Sequence, residues 1–320
     1  MNVVWFKRDL RLTDHAPLTA ALARGEPLIL LYIVDSSLLR DPHYRGRHWH
    51  FISQSLQAMN EQLALLGAHI EVLEGEPAKL LQALHEHTPI KDLFSYEETG
   101  LGVTFDRDQK VAAFCASLGI EWHEFQTNGV QRGRQDRRGW NRAWHQVMGE
   151  MEAEIDLRSV AALSQPVPAA LAGMRCKRLV GWQAKNAAFQ PGGSPAAHAV
   201  LDSFLQQRGH GYQRHISKPA TSRVHCSRLS PYLAWGNLSL RQAYQALKRR
   251  QRQDGWRRAL SAFESRLHWH CHFIQKFEME CRMEFEDLNR GYLAHPRHHD
   301  PEHLGAWREG RTGYPLIDAC

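Results

Sequence analysis

The chain has 320 residues, 43% apolar and 23% charged, a globular profile long enough for two domains. No apolar run reaches the length of a membrane span, and no basic start precedes an apolar stretch, so neither a spanning helix nor a secretory leader is read. Forty Lys and Arg against 34 Asp and Glu leave +6, which favours a polyanionic partner, while six scattered cysteines without a C-x-x-C pair exclude a zinc ribbon or disulfide framework and fit a reducing cytoplasm.

Residues 2–6 (NVVWF) and 28–34 (LILLYIV) predict buried strands, with Asp14 placed to cap a short helix through Leu18 and Leu22. From 48 to 66, Ile52, Leu56, Met59, Leu63 and Leu66 recur at spacings of four and three, which is one face of a helix. Further strands are predicted at 69–73, 92–96 and 120–125, with helices near 77–87 and 105–118. Five strands with intervening helices imply a Rossmann-like, doubly wound parallel sheet over residues 1–130. The stretch after the first strand reads KRDLRLTD. Without glycine there, no phosphate reaches the backbone, which excludes a dinucleotide dehydrogenase.

Residues 131–145 (QRGRQDRRGWNRAWH) are rich in Arg and carry Trp140 and Trp144. Two readings are open: a segment that tracks phosphates and stacks bases, or a loop whose arginines lie on a neighbouring domain. Pro166, Pro168, Pro191, Gly192, Gly193 and Pro195 then mark residues 131–195 as an inter-domain linker. Beyond it the pattern is all helix. Ser194 is read as an N-cap followed by Pro195 at the first helical position, and Leu201, Phe204 and Leu205 give that helix its buried face. Ser239 caps the next helix, with Leu240, Ala243, Tyr244 and Leu247 inward. A long helix over 256–277 repeats Trp256, Leu260, Phe263, Leu267, His270, Ile274 and Phe277. Lys248, Arg249, Arg250 and Arg252 either meet phosphates or form a solvated helix end.

Three groups could carry chemistry. Tyr212 with Cys226, Ser227, Arg228, Leu229 and Ser230 offers amides and hydroxyls at a turn, an anion site, although such tetrapeptides also serve as plain helix caps. Arg266, Trp269 and Phe273 fall at i, i+3 and i+7 of the long helix. A Trp beside a cation can stack on a planar ligand, or the three can form a second core face. His268 and His272 share a helix face beside Cys271, but no carboxylate or second pair lies at ligand spacing, so no metal site is expected.

Four segments are similar, in order, to segments of the DNA photolyase/cryptochrome family: WFKRDLRLTDH (5–15), SRLSPYLAWGNLS (227–239), RLHWHCHF (266–273) and HLGAWREGRTGYPLIDA (303–319). The resemblance implies an α/β antenna domain followed by an all-α FAD-binding domain over 196–320. It also implies light-dependent repair of pyrimidine dimers by electron transfer from reduced FAD, a carbon–carbon lyase activity. The alternatives are a cryptochrome-like blue-light receptor without repair, or an inactive fragment of either. A second antenna chromophore (a folate or a deazaflavin), damaged DNA as partner, and a monomer belong to the same expectation. Carried over by residue, Tyr212, Cys226, Ser227, Arg228, Leu229 and Ser230 would hold the cofactor's phosphates. Phe263, Arg266, His270 and Phe273 would wall its pocket, Trp269 would stack on the flipped dimer, and Trp307 would pass electrons from the surface. Four departures stand out. Arg266 replaces the Glu of many repairing members and cannot accept a hydrogen bond. Cys226 replaces a common Thr. The antenna segment SYEETGLGVTFDRD (95–108) is long, with Glu97 and Glu98 as candidates for pigment contact. Finally, the sequence stops at Cys320 inside a motif that continues in the family, so an incomplete helical domain with poor solubility and weak flavin retention is expected.

Overall fold

A computed structural model of the chain describes every residue except Lys185, Asp254, Arg297 and Cys320. The chain packs as two units, Met1–Cys281 and Arg282–Cys320.

The first unit opens with β1 (Asn2–Phe6), α1 (Ala16–Ala23), β2 (Leu28–Asp35), α2 (Ser36–Arg40), α3 (Gly46–Ala64), β3 (Glu71–Gly75), α4 (Pro77–His87), β4 (Asp92–Tyr96), α5 (Gly102–Leu118) and β5 (Glu121–Phe125). The strands form one parallel sheet in the order β3-β2-β1-β4-β5. Helices cover both faces, so β1 and β2 are buried throughout and read as continuous apolar runs. Val4, Phe6 and Leu30 pack with Ile52, Leu56 and Met59 of α3 on one face. Val3, Trp5 and Leu31 pack with Leu81 and Leu84 of α4 and Val111 of α5 on the other. The winding reverses between β1 and β4, where sheets of this kind open a crevice beyond the carboxyl ends of their strands.

Several local expectations shift by a residue or two. The cap of α1 is His15, whose Nδ1 accepts from the Leu18 amide at 3.1 Å. Asp14 is drawn elsewhere: its buried carboxylate accepts from Ser239 Oγ (2.5 Å), the Ala153 amide (3.1 Å) and Arg241 (3.1 Å). The strand predicted at 69–73 begins at Glu71, because Asn60 Oδ1 takes the Ile70 amide at 2.7 Å.

Residues 131–195 are a packed layer, not a bare linker. They carry α6 (Trp140–Gly149) and α7 (Leu157–Leu163). Trp140 and Trp144 are 3% and 0% exposed within the helical core, so they cannot stack bases. The arginines lie on neighbouring elements: Arg137 sits over Trp140 at 4.8 Å and donates to the His272 carbonyl, and Arg132 pairs with Glu124 at 2.7 Å.

The unit closes with α8 (Ser194–Gln206), α9 (Tyr212–His215), α10 (Pro219–His225), α11 (Ser230–Ala234), α12 (Leu240–Gln251) and α13 (Arg257–Met279). Ser194 is the first helical residue; the cap is Gly193 at φ +107, where an added Cβ would stand 2.7 Å from Ala58 Cβ. The Ser194 hydroxyl instead donates to the Asn237 carbonyl at 2.7 Å. Ser239 caps α12 through a reciprocal box with Gln242. The buried stripe of α13 runs Ala259, Leu260, Phe263, Leu267, Cys271 and Gln275, rotated away from the half-buried His270, Ile274 and Phe277.

The second unit holds α14 (Pro301–Arg308), capped by Asp300, and α15 (Pro315–Asp318). Asp318 accepts from the Thr312 amide and hydroxyl at 2.8 and 2.6 Å. None of its described residues is buried. Among the described residues of the whole chain, no helix is long and apolar enough to cross a membrane.

Candidate functional site

Three helices meet at an aromatic corner. Phe204 of α8, Tyr212 of α9 and Phe263 of α13 have ring centroids 4.8–5.7 Å apart and nearly perpendicular planes, the edge-to-face arrangement that the ring quadrupoles prefer. Burial pushes the Tyr212 phenol up to about 12, the Cys226 thiol acts in the same sense, and the Arg266 guanidinium acts against it. Tyr212 therefore stays neutral and gathers Cys226 and Arg266, 40 residues apart in sequence, around one hydroxyl. Arg266 lies over the Trp269 ring at 4.4 Å, and Trp269 meets Phe273 edge-on at 5.9 Å. Trp269 and Phe273 are 45% and 58% exposed, so the second-core reading of this face is set aside.

The turn from Cys226 to Ser230 leaves this corner. Arg228 adopts φ +62, a left-handed conformation that side-chain-bearing residues seldom take and that is held by its surroundings. Gln190 donates to the Arg228 carbonyl at 2.9 Å. Leu229 is buried and anchors the turn, Ser227 is half-buried, and Ser230 is exposed at the first position of α11.

The residue that sequence reasoning missed is Arg208. Its guanidinium donates to the carbonyls of Val224 (2.9 Å), Cys226 (2.6 Å), Ser227 (3.3 Å) and Val200 (3.1 Å), and to Ser203 Oγ (2.9 Å). It sits in an irregular RGHG turn, where no periodicity marks it. Among the described residues no carboxylate pairs with Arg208, Arg228 or Arg266. Burial, and then Arg228, lower the Arg208 pKa. Arg228, flanked in the turn by the Ser227 and Ser230 hydroxyls, fits a pyrophosphate, which accepts several charge-assisted hydrogen bonds at once, while all five Arg208 donors hold the turn itself.

His270 lies on a different side of α13. It lines a cleft of about 210 Å³ with Arg8, Glu97, Glu98, Asn128 and Leu233, beyond the carboxyl ends of β1 and β4. Burial, reinforced by the Arg8 charge, drives the imidazole down to about 4. Burial alone would raise Glu98, but Arg8 and Arg107, each 2.7 Å away, hold it down at about 2. His270 Nδ1 and Glu97 Oε2 are buried without a protein partner. The two histidines weighed as metal ligands are engaged elsewhere: His268 packs on Trp140 and Trp144, and His272 meets Arg137.

Residues 2–132 match the family model described as DNA photolyase, and residues 263–320 match that of the FAD binding domain of DNA photolyase. The chain belongs to the DNA photolyase and cryptochrome family. Within it, the chain is 26% identical to the deoxyribodipyrimidine photo-lyase of Halobacterium salinarum, over all of this chain and 70% of that protein. It is 25% identical to cryptochrome-2 of Gallus gallus, over 99% of this chain and 58% of that protein. In fold it is similar to the Synechocystis cryptochrome, with TM-score 0.84 at 23% identity over 100% of this chain and 70% of that one. It is also similar to an archaeal photolyase from Sulfolobus tokodaii solved with two FAD molecules, with TM-score 0.78 at 23% identity over 100% and 69%. In this photolyase-family chain the first match spans the five-stranded sheet and the second begins at Phe263 of α13.

Proposed function

We propose that this chain holds FAD at the Ser227 turn and repairs pyrimidine dimers in DNA under light. The observation that carries the reading is the exposed row Arg266–Trp269–Phe273, which starts at the Tyr212–Cys226 corner, where Arg266 has no carboxylate partner among the described residues. Reduced FAD, when bound, supplies the photoexcitable electron donor. The chain's own residues bind and orient. Ser227, Arg228 and Ser230, with Tyr212, Cys226 and Leu229 behind them, would hold the pyrophosphate. Phe263 would wall the pocket, with Arg266 and Phe273 at its margin, whereas His270, expected there from the sequence, faces the cleft at the switch point of the sheet. The exposed Trp269 ring offers a stacking surface to an extruded base, and damaged bases cost least to extrude. Trp307, 63% exposed in α14, takes the role of surface electron relay. A second, light-gathering chromophore of folate or deazaflavin type is assigned to the cleft at the switch point, which carries Glu97 and Glu98.

A blue-light receptor without repair is the second reading, and Arg266 favours it, because a guanidinium donates where a repairing site would accept. The test is blue-light illumination of the FAD-loaded, chemically reduced chain with a dimer-containing oligonucleotide. Light-dependent loss of the dimer supports repair. A light-induced flavin spectral change with the dimer intact supports the receptor. Neither response removes both.

A further inference from the structure

The densest cationic stretch of this chain is Lys248–Arg258 (KRRQRQDGWRR), which carries six cations against one carboxylate. Two of the six are spent on shape: Lys248 pairs with Glu264 at 2.9 Å, and Arg250 donates to the Leu205 carbonyl at 2.8 Å and lies over Trp256 at 4.3 Å. Gln251 also donates to Ser261 Oγ at 2.9 Å, tying the end of α12 to α13. The remaining four, Arg249, Arg252, Arg257 and Arg258, are exposed and have no carboxylate partner among the described residues. Four exposed guanidinium groups without a carboxylate partner among the described residues, set around a braced turn, make a concentrated positive field.

The turn is in line with the row described above. Arg258 and Trp269 are eleven residues apart on the continuous helix α13, which sets them about 20° apart around its axis and about 16 Å apart along it. Ser261 and Ser265, between them, are exposed, and the one acidic residue in the interval, Glu264, is engaged by Lys248. One uninterrupted exposed stripe therefore runs from a cation to the aromatic face.

We infer that the α12–α13 turn is an accessory phosphate-docking site that grips the backbone of duplex DNA on one flank of the lesion. The inference rests on reading Trp269 as the residue that meets the extruded base. A duplex advances about 3.4 Å per base pair, so a 16 Å offset places the arginines roughly five base pairs from Trp269. The contact is with phosphates, not bases: Trp256, the one aromatic residue of the stretch, is buried beneath Arg250, so the turn offers no stacking platform and carries no sequence information.

The test uses the full chain loaded with FAD and fluorescently labelled 30-base-pair duplexes, with and without a central thymine dimer. Binding is measured across a salt series for the wild type and for a variant combining R249Q, R252Q, R257Q and R258Q. Each lost phosphate contact lowers the slope of log K against log salt by about 0.9. The variant is expected to lose about three to four in slope and at least tenfold in affinity at 0.1 M salt, on both duplexes. Trimming the dimer duplex to three pairs on one flank should weaken the wild type to the level of the variant, whereas trimming the other flank should not. R258Q alone should lower the slope by about one, which keeps the test valid should the combined variant fold poorly. An unchanged slope, equal sensitivity to trimming on both flanks, or stronger binding to single-stranded RNA than to duplex DNA would each overturn the proposal. Loss of slope in the four-site variant, with dimer preference unaffected by W269A, would support the docking site and overturn the reading of Trp269.

Discussion

Replacing Arg208 with Met should loosen the whole phosphate-facing turn. The guanidinium holds five acceptors drawn from residues 200–227. Hydrogen bonds to a charged donor contribute about 1.5–3 kcal/mol each. Arg208 is half-buried, so water replaces it on the more exposed carbonyls, and the net loss is about 2–4 kcal/mol. For a domain of this size each kcal/mol moves the midpoint by about 2–4 °C, giving a Tm roughly 5–15 °C lower by circular dichroism. FAD affinity should fall with it, since Cys226 and Ser227 lose the group that fixes their carbonyls. Arg208→Lys should recover only part of both losses, because an ammonium has three donors in place of five. A Met variant with wild-type Tm and wild-type flavin affinity would show that the turn holds its shape without this residue and would refute the reasoning.

The His270 imidazole titrates near 4 in the fold against an ordinary value near 6.5. The unfolded chain takes up the proton first, so stability present above pH 6.5 is lost as pH falls from 6.5 toward 4, by roughly 2–3 kcal/mol. Urea unfolding across that range should show the loss, and His270→Gln should flatten it. Glu98→Gln removes the buried carboxylate between Arg8, which is exposed, and Arg107, which keeps Asp108 at 2.7 Å, and should cost roughly 1.5–3 kcal/mol in denaturant unfolding. Trp269→Ala, at an exposed position, should change stability by less than about 1 kcal/mol while abolishing preference for dimer-containing over intact DNA in a binding titration.

What the sequence made legible is what short-range patterns encode. Apolar runs marked β1 and β2 because both their faces are covered, and spacings of three and four marked α3 and α13. The Ser239–Gln242 box is local and was readable. The rest depends on partners distant in sequence. Asp14 looked like a helix cap until Ser239 and Arg241, more than 220 residues away, claimed its carboxylate. Trp140 and Trp144 suit either a base-stacking surface or a core, and their composition does not say which. Arg208 is invisible because four of its five acceptors are carbonyls, which every residue has. Tyr212 and the Ser227 turn were recognisable by resemblance, but their link to Arg266 and Trp269 is a property of the folded corner. His270 owes its depressed pKa partly to Arg8, 262 positions earlier.

The central claim is that the Ser227–Arg228 turn grips a flavin pyrophosphate beside the Trp269 helix. The most direct test is a titration of the chain with FAD, followed by flavin fluorescence, against a variant carrying Ser227→Ala and Arg228→Gln. The account predicts saturable binding by the wild type in the micromolar range. The variant should lose roughly tenfold to a hundredfold, the equivalent of one charge-assisted hydrogen bond, with its far-ultraviolet circular dichroism unchanged. Equal FAD affinity in the two proteins would contradict it.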